Sequence, residues 1–520
     1  MRAPTFATLL CTAALSACTG LVTDPPGQEG QGLSARQNDG GAAALAPDAS
    51  SPGLRFRADQ AATEGAPTPA CDLAITEVAA FQSVKSSLWL GGQIVEGGPA
   101  LVAGRATLFR VFVAPGPFWP NRLSKARLIL TEPGGSIRIY ETEKLMAGAS
   151  DDADGASTFN FSIEGSAITD QTNYQVQLDL GVDCRRFEKS RTVPRQGPLP
   201  LGTVNVPVLQ MVLVPMRYGA DGSGRLPDTS QQQLDRIKAA ILAMLPLRDV
   251  QISVRAPIDT NATLDAQSFP MFLDTIRALR ATDNAAKNVH YLGLVAPAES
   301  LASYCQGSCT AGLAFGNMTD DPNLRAGVAV GFTGEESIRT LIHELGHTLG
   351  LKHAPCNTSD AVDPLFPYEN GLIGVWGYDE RQRRLRDPGV VGDFMGYCPD
   401  HWISDYSYSK VSSRLRSFAS EGGQALSVVA VSREPMTSVW VPLHGPPSMG
   451  SRHRVGLPLP GETVTAVWSP STGGSQAVDV QSLPVQDADG RMWLLPDWLL
   501  STPGRLFLPA TPGALPLPLD

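Results

Sequence analysis

The chain has no run of eighteen apolar residues, so no segment is long enough to cross a bilayer as a helix. It also has no basic run. Its formal net charge of −10 argues against nucleic acid as a partner and against electrostatic docking on anionic lipid. No paired CxxC spacing occurs, which removes cysteine-rich zinc modules. Histidine is scarce, with seven in 520 residues. Three of the seven nevertheless fall within eleven residues.

Those three are His343, His347 and His353, set with Glu344 and Gly350 as HExxHxxGxxH. At this composition the five positions coincide by chance on the order of once in 10⁵ such chains. Histidines four apart share a helix face, so His343 and His347 can present imidazole nitrogens to one ion. Glu344 follows the first ligand and stands beside the metal, where it can hold a water and take its proton. Gly350 lets the chain leave the helix through a left-handed turn that a Cβ would resist. His353 then closes a three-histidine site whose fourth position is open, as a catalytic zinc needs. A rival third ligand is Glu369, by analogy with thermolysin-like sites, but its surroundings read as a loop and it leaves Gly350 and His353 without a reason.

Some forty residues on come Asp393, Phe394, Met395, Gly396 and Tyr397. Together with HExxHxxGxxH, this resembles the Met-turn of the metzincin metallopeptidases, across roughly residues 203–420. The resemblance implies ligands at His343, His347 and His353, one catalytic Zn²⁺, Glu344 as general base and Met395 beneath the metal. It also implies Tyr397 as a hydrogen-bond donor to the oxyanion; a packed aromatic with a satisfied hydroxyl is the plainer reading of that residue.

The expected fold class is multidomain. An α+β metzincin-like catalytic domain, a twisted mixed sheet with an active-site helix, occupies 203–420. Periodicity predicts strands at 209–218, 249–254, 290–295 and 326–332, the last at the sheet edge, and helices at 229–245 and 269–281. Thr333 and Glu336 predict a capping box opening the helix that carries His343. A further helix is expected from about Asp405 to Phe418. His401 reads as a solvated loop residue.

Upstream, 71–200 predicts an immunoglobulin-like β-sandwich from short strands near 100–113, 126–130, 136–140 and 174–180. It would serve as a substrate- or surface-binding module, or equally as a spacer. Residues 421–520 predict a small β-rich C-terminal domain with a proline-rich tail.

At the N-terminus, Arg2, the short apolar run from Phe6 to Ala14, and Leu15, Ser16, Ala17 and Cys18 resemble a bacterial lipobox. The resemblance makes 1–17 a signal peptide and Cys18 the lipidated residue; an ordinary secretory signal is the alternative. Residues 18–70 are too poor in large apolar side chains to fold and read as a disordered tether. The expected localisation is export and lipid anchoring to a bacterial cell envelope, at the outer membrane or cell surface, with release a further option. Membrane attachment would be through the N-terminal lipid only.

Besides Cys11 and Cys18 there are six cysteines: Cys71, Cys184, Cys305, Cys309, Cys356 and Cys398. An even count in an exported chain suggests disulfides, and position favours 71–184, 305–309 and 356–398 over buried free thiols. The functional expectation is a zinc endopeptidase acting on extracytoplasmic protein or glycoprotein substrates. The rivals are a non-catalytic zinc-containing surface-binding lipoprotein, and a peptidase restricted to glycoproteins. Glu344 favours an enzyme, since a structural site has no use for a carboxylate beside an open position.

Overall fold

The computed structural model describes residues 53–59 and 68–519, apart from 133, 188–190, 266–267, 307–308, 317–320, 359–360, 422–429 and 512. The expected lipidation site Cys18 and most of the expected tether lie outside the described residues. No helix is long and apolar enough to cross a membrane among the described residues.

Two antiparallel sheets face each other at the N-terminal end. One contains Leu73–Gln82, Val84–Leu90, Thr107–Pro115 and Phe159–Ile163; the other is built on Leu123–Thr131 and Asn173–Asp179. Alternate residues such as Val111, Phe109, Leu128 and Val176 enter their common core. Cys71 and Cys184 are joined in a disulfide at the rim of that core.

The central sheet runs in the order Val250–Val254, Leu209–Tyr218, Val289–Val295, Ala326–Val330 and Gly312–Ala314. Every pairing is parallel except that of the last strand, which is antiparallel and forms the edge. Both faces are buried, as the apolar runs of a parallel sheet require. Leu213, Leu292 and Ala329 point to one side, against the helices Gln231–Met244, Glu335–Thr348 and Asp405–Glu421. Val214, Tyr291 and Val328 point to the other, against the helix Phe269–Thr282 and residues of the seven-stranded C-terminal sheet, among them Trp440, Leu483 and Met492.

Buried polar contacts join these parts. The Arg105 guanidinium, from the N-terminal region, donates to the carbonyls of Leu242 (2.7 Å) and Leu245 (2.6 Å), satisfying the C-terminus of the 231–244 helix. Asp274, paired with Arg277, accepts from Ser438 Oγ (2.9 Å) and the Ser451 amide (2.8 Å), fixing the C-terminal sheet to the 269–282 helix.

The expected α+β metzincin-like class, with a small β-rich domain after it, is overturned. Strand accounts for 38% of the described residues and helix for 19%. The βα alternation that suggested the class is confined to a stretch of the chain whose sheet is one of five among the described residues. Strands Gly377–Asp379 and Arg384–Arg386, downstream of that stretch, join the N-terminal sheet through Gly377 opposite Val84. The C-terminal sheet shares a core with the central one. Periodicity reads each segment's own faces and carries no record of which sheet a strand will join, so the proportion of β-structure was underestimated.

Two local expectations also differ. The edge strand is Gly312–Ala314, and Ala326–Val330 is internal. Gly334, at φ 124°, caps the 335–348 helix, while Thr333 Oγ1 donates instead to Asp228 (2.8 Å).

Candidate metal centre

The helix Glu335–Thr348 forms because Ile338, Leu341, Ile342 and Leu345 make one apolar stripe against the core, with Glu335 and Glu336 favourably placed in its first turn. His343 and His347, one turn apart, leave the same face. Gly350 adopts φ 92° and Leu351 N returns to the Gly346 carbonyl (3.0 Å), so the helix stops in a left-handed cap. The chain reverses and brings His353 opposite the pair.

The turn at Asp393–Tyr397 lies beneath. Asp393 is fully buried and its carboxylate accepts from the amides of Met395 (2.8 Å) and Ser404 (2.9 Å). Met395 is also fully buried, and its sulfur would collide with a Cβ at Gly346. The Ala354 amide donates to the Met395 carbonyl (3.0 Å) and the Tyr397 amide to the Cys356 carbonyl (2.8 Å), tying the third histidine's loop to this turn. The Cys356–Cys398 disulfide closes the same junction, and Cys305 pairs with Cys309.

His343, His347, His353 and Asp487 present one ligand atom each, all within 4.8 Å of one another. The Nδ1 of His343 faces the Phe394 carbonyl (3.0 Å) and that of His347 the Leu351 carbonyl (2.9 Å). A carbonyl only accepts, so each Nδ1 carries the proton and each Nε2 keeps its lone pair. The two Nε2 atoms are 3.1 Å apart, close to the ~3.3 Å expected between nitrogens on one tetrahedral zinc. Burial, and then the neighbouring His347, bring the His343 imidazole down to about 3, which keeps it neutral as a ligand must be. Two buried carboxylate oxygens, Glu344 Oε2 and Asp487 Oδ2, have no hydrogen-bond partner. With the imidazole Nε2 atoms, these oxygens make a donor set that fits a divalent metal.

Glu344 is buried beside the cluster. Burial, followed by the charge of Asp487, holds its carboxyl well above the usual carboxylate range. Tyr397 is at the rim, 40% exposed, stacked on His343 with its hydroxyl 3.4 Å from His353 Nε2. Glu369 sits exposed on a short turn, outside the cluster. His401 is half-buried in a two-residue strand rather than solvated.

Asp487 was not legible in the sequence. It lies in the C-terminal sheet's connection at φ 65°, in a Gln-Asp-Ala-Asp-Gly stretch that reads as an ordinary turn. No spacing links it to the histidines.

Residues 298–393 match the family Peptidase M66. This is a zinc metallopeptidase family, and the matched segment contains His343, Glu344, His347 and His353. A Dictomallein-like protein of Hahella chejuensis is 39% identical over 57 residues, which is 11% of this chain and 9% of that protein's length. The match therefore marks a segment similar to a zinc metallopeptidase family; its three histidines, with Asp487 from outside it, form a cluster that could hold a metal ion.

Proposed function

We propose that the protein is a zinc-dependent endopeptidase of extracytoplasmic proteins. The observation that carries the reading is the buried Glu344, whose Oε2 has no hydrogen-bond partner, beside the converging Nε2 lone pairs of His343 and His347 and the His353 ring. The match to a metallopeptidase family supports it.

His343, His347 and His353 would hold the ion, and the donor set of imidazoles and carboxylate suits zinc. When bound, zinc supplies Lewis acidity toward the peptide carbonyl and makes water a stronger acid. Glu344 takes the proton of the attacking water as its oxygen bonds to the carbonyl carbon, then passes that proton to the departing amine. Its raised basicity suits a carboxylate asked to accept and return a proton. Tyr397, at the rim, donates a hydrogen bond to the carbonyl oxygen as charge develops there. The edge strand Gly312–Ala314 offers backbone groups for an extended peptide.

Export rests on the lipobox-like Leu15 to Cys18 and on three disulfides, and anchoring through a lipidated Cys18 belongs to the same proposal. A second reading, a non-catalytic zinc site, draws on Asp487, which fills the fourth position as a structural site would.

The test is hydrolysis of unfolded casein and of glycosylated and deglycosylated proteins by the purified chain, with metal content measured, beside Glu344→Ala. Cleavage that disappears in the variant while zinc stays bound supports the peptidase. Zinc bound in both, with no substrate cut even by Asp487→Ala, favours the second reading. Cleavage of the glycosylated forms alone narrows the substrate class.

A further inference from the structure

We infer that residues 484–487 are a built-in occupant of the substrate cleft, with Asp487 as a fourth ligand to the metal. This rests on the metal-site reading above and adds to it the state in which the protein folds.

The segment meets the site in two independent ways. Its backbone adds to the free side of the edge strand. The Gln486 amide donates to the Ala314 carbonyl (2.8 Å), the Gly316 amide donates to the Pro484 carbonyl (3.2 Å), and Val485 pairs antiparallel with Phe315. That is strand addition, the way an extended peptide binds a sheet edge. At Gly316 a Cβ would run into the Gln486 side chain, so the fit depends on a glycine there. Val485 and Gln486 are buried.

The next residue then delivers a carboxylate to the histidines. Asp487 Oδ1 is 2.8 Å from His353 Nε2, and Oδ2 is 3.2 Å from His347 Nε2 and 3.9 Å from His343 Nε2. The Tyr397 hydroxyl donates to Oδ1. The side chain is 9% exposed, and its Oδ2 has no hydrogen-bond partner. An anion desolvated to this degree needs a cation, and His343 and His347, whose Nδ1 atoms face carbonyls, turn lone pairs rather than protons toward it. A metal among the three Nε2 atoms supplies it.

A peptide cannot use the same edge strand, the same fourth position and the same Tyr397 hydroxyl while the segment is there. The protein therefore folds closed, and opens when residues 484–487 are displaced or the connection is cut. Because the occupant is tethered, it competes at an effective concentration in the millimolar range without needing high intrinsic affinity.

The experiment compares wild type with Asp487→Ala, and with Asp487→Asn, which fills the same space and keeps the comparison valid if the alanine variant misfolds. Three quantities are read: the visible absorption of the cobalt(II)-loaded chain, zinc affinity by chelator competition, and affinity for a peptide hydroxamate. The inference expects a changed cobalt spectrum, zinc binding weakened by about tenfold or more, and hydroxamate binding tightened by about tenfold or more. If wild type binds zinc and all three readouts stay within twofold in both variants, the inference is overturned and the metal-site reading stands. If wild type takes up neither metal, the metal-site reading fails and takes the inference with it.

Discussion

Gly312 and Glu344 pack so closely that no side chain fits between them. A Cβ at Gly312 would overlap Glu344 Oε1 and lie 2.7 Å from both Cδ and Cγ. The edge strand thus fixes the carboxylate's position beside the histidines. Gly312→Ala should push Glu344 aside without touching a ligand. Peptide hydrolysis is expected to fall about 10²-fold, the scale of a misplaced general base, with zinc content unchanged. Turnover within a few-fold of wild type would mean that Glu344 is not held by this contact.

The clustering of three histidines was legible because its geometry is local: one helical turn and one left-handed cap connect His343, His347 and His353. Gly312 and Asp487 were not, because each acts through tertiary packing. One lies on a three-residue strand too short for periodicity, and the other in a turn whose residue types are ordinary. The same limit explains the fold. Helices at 231–244 and 269–282 lie within two residues of expectation, since apolar stripes define them. The sharing of cores between sheets has no such signature, and the balance of strand over helix went unread.

The Cys356–Cys398 disulfide joins the loop after His353 to the turn after Met395, with Cα atoms 5.6 Å apart and a sequence separation of 42. Closing a loop of that length contributes roughly 3–4 kcal/mol through the unfolded chain. The double replacement Cys356→Ala with Cys398→Ala should lower unfolding free energy by about that amount, measured by urea denaturation. It should also speed zinc loss to a chelator, because both walls of the site loosen. Unchanged zinc retention would show that backbone bonds alone, from Ala354 to Met395 and Tyr397 to Cys356, hold the floor.

Asp393 organises that floor from beneath, accepting from two backbone amides while buried completely. Asp393→Asn turns one acceptor oxygen into a donor that faces an amide hydrogen. A cost of about 1–3 kcal/mol is expected, with the denaturation midpoint lowered and its slope unchanged. Asp393→Glu should do no better, because the longer side chain has no room in the turn. A neutral Asn variant would rule out this bonding as a source of stability.

His290, which is not part of the His343/His347/His353/Asp487 cluster, gives the protein an acid-sensitive point. It is fully buried, with Nδ1 2.9 Å from Thr348 Oγ1 and Nε2 lacking a hydrogen-bond partner. The Thr348 hydroxyl donates to the Leu345 carbonyl (2.8 Å), so Nδ1 carries the proton and Nε2 is the bare nitrogen. Burial, reinforced by the charges of Arg325, Arg280 and Arg414, holds the imidazole well below its ordinary 6.5. The unfolded chain therefore binds a proton, as pH falls below about 6.5, that the folded one refuses. The sign follows: this stability is complete above about pH 6.5 and is lost on acidification, by up to about 1.4 kcal/mol for each pH unit. His290→Gln keeps a donor for Thr348 and removes the titration. Urea denaturation of the metal-free chains at pH 7.5, 6.5 and 5.5 should give a flatter stability curve for the variant, by up to that slope. The two chains differ only at position 290, so the difference between the curves belongs to His290, and parallel curves would exclude it as the acid-sensitive group.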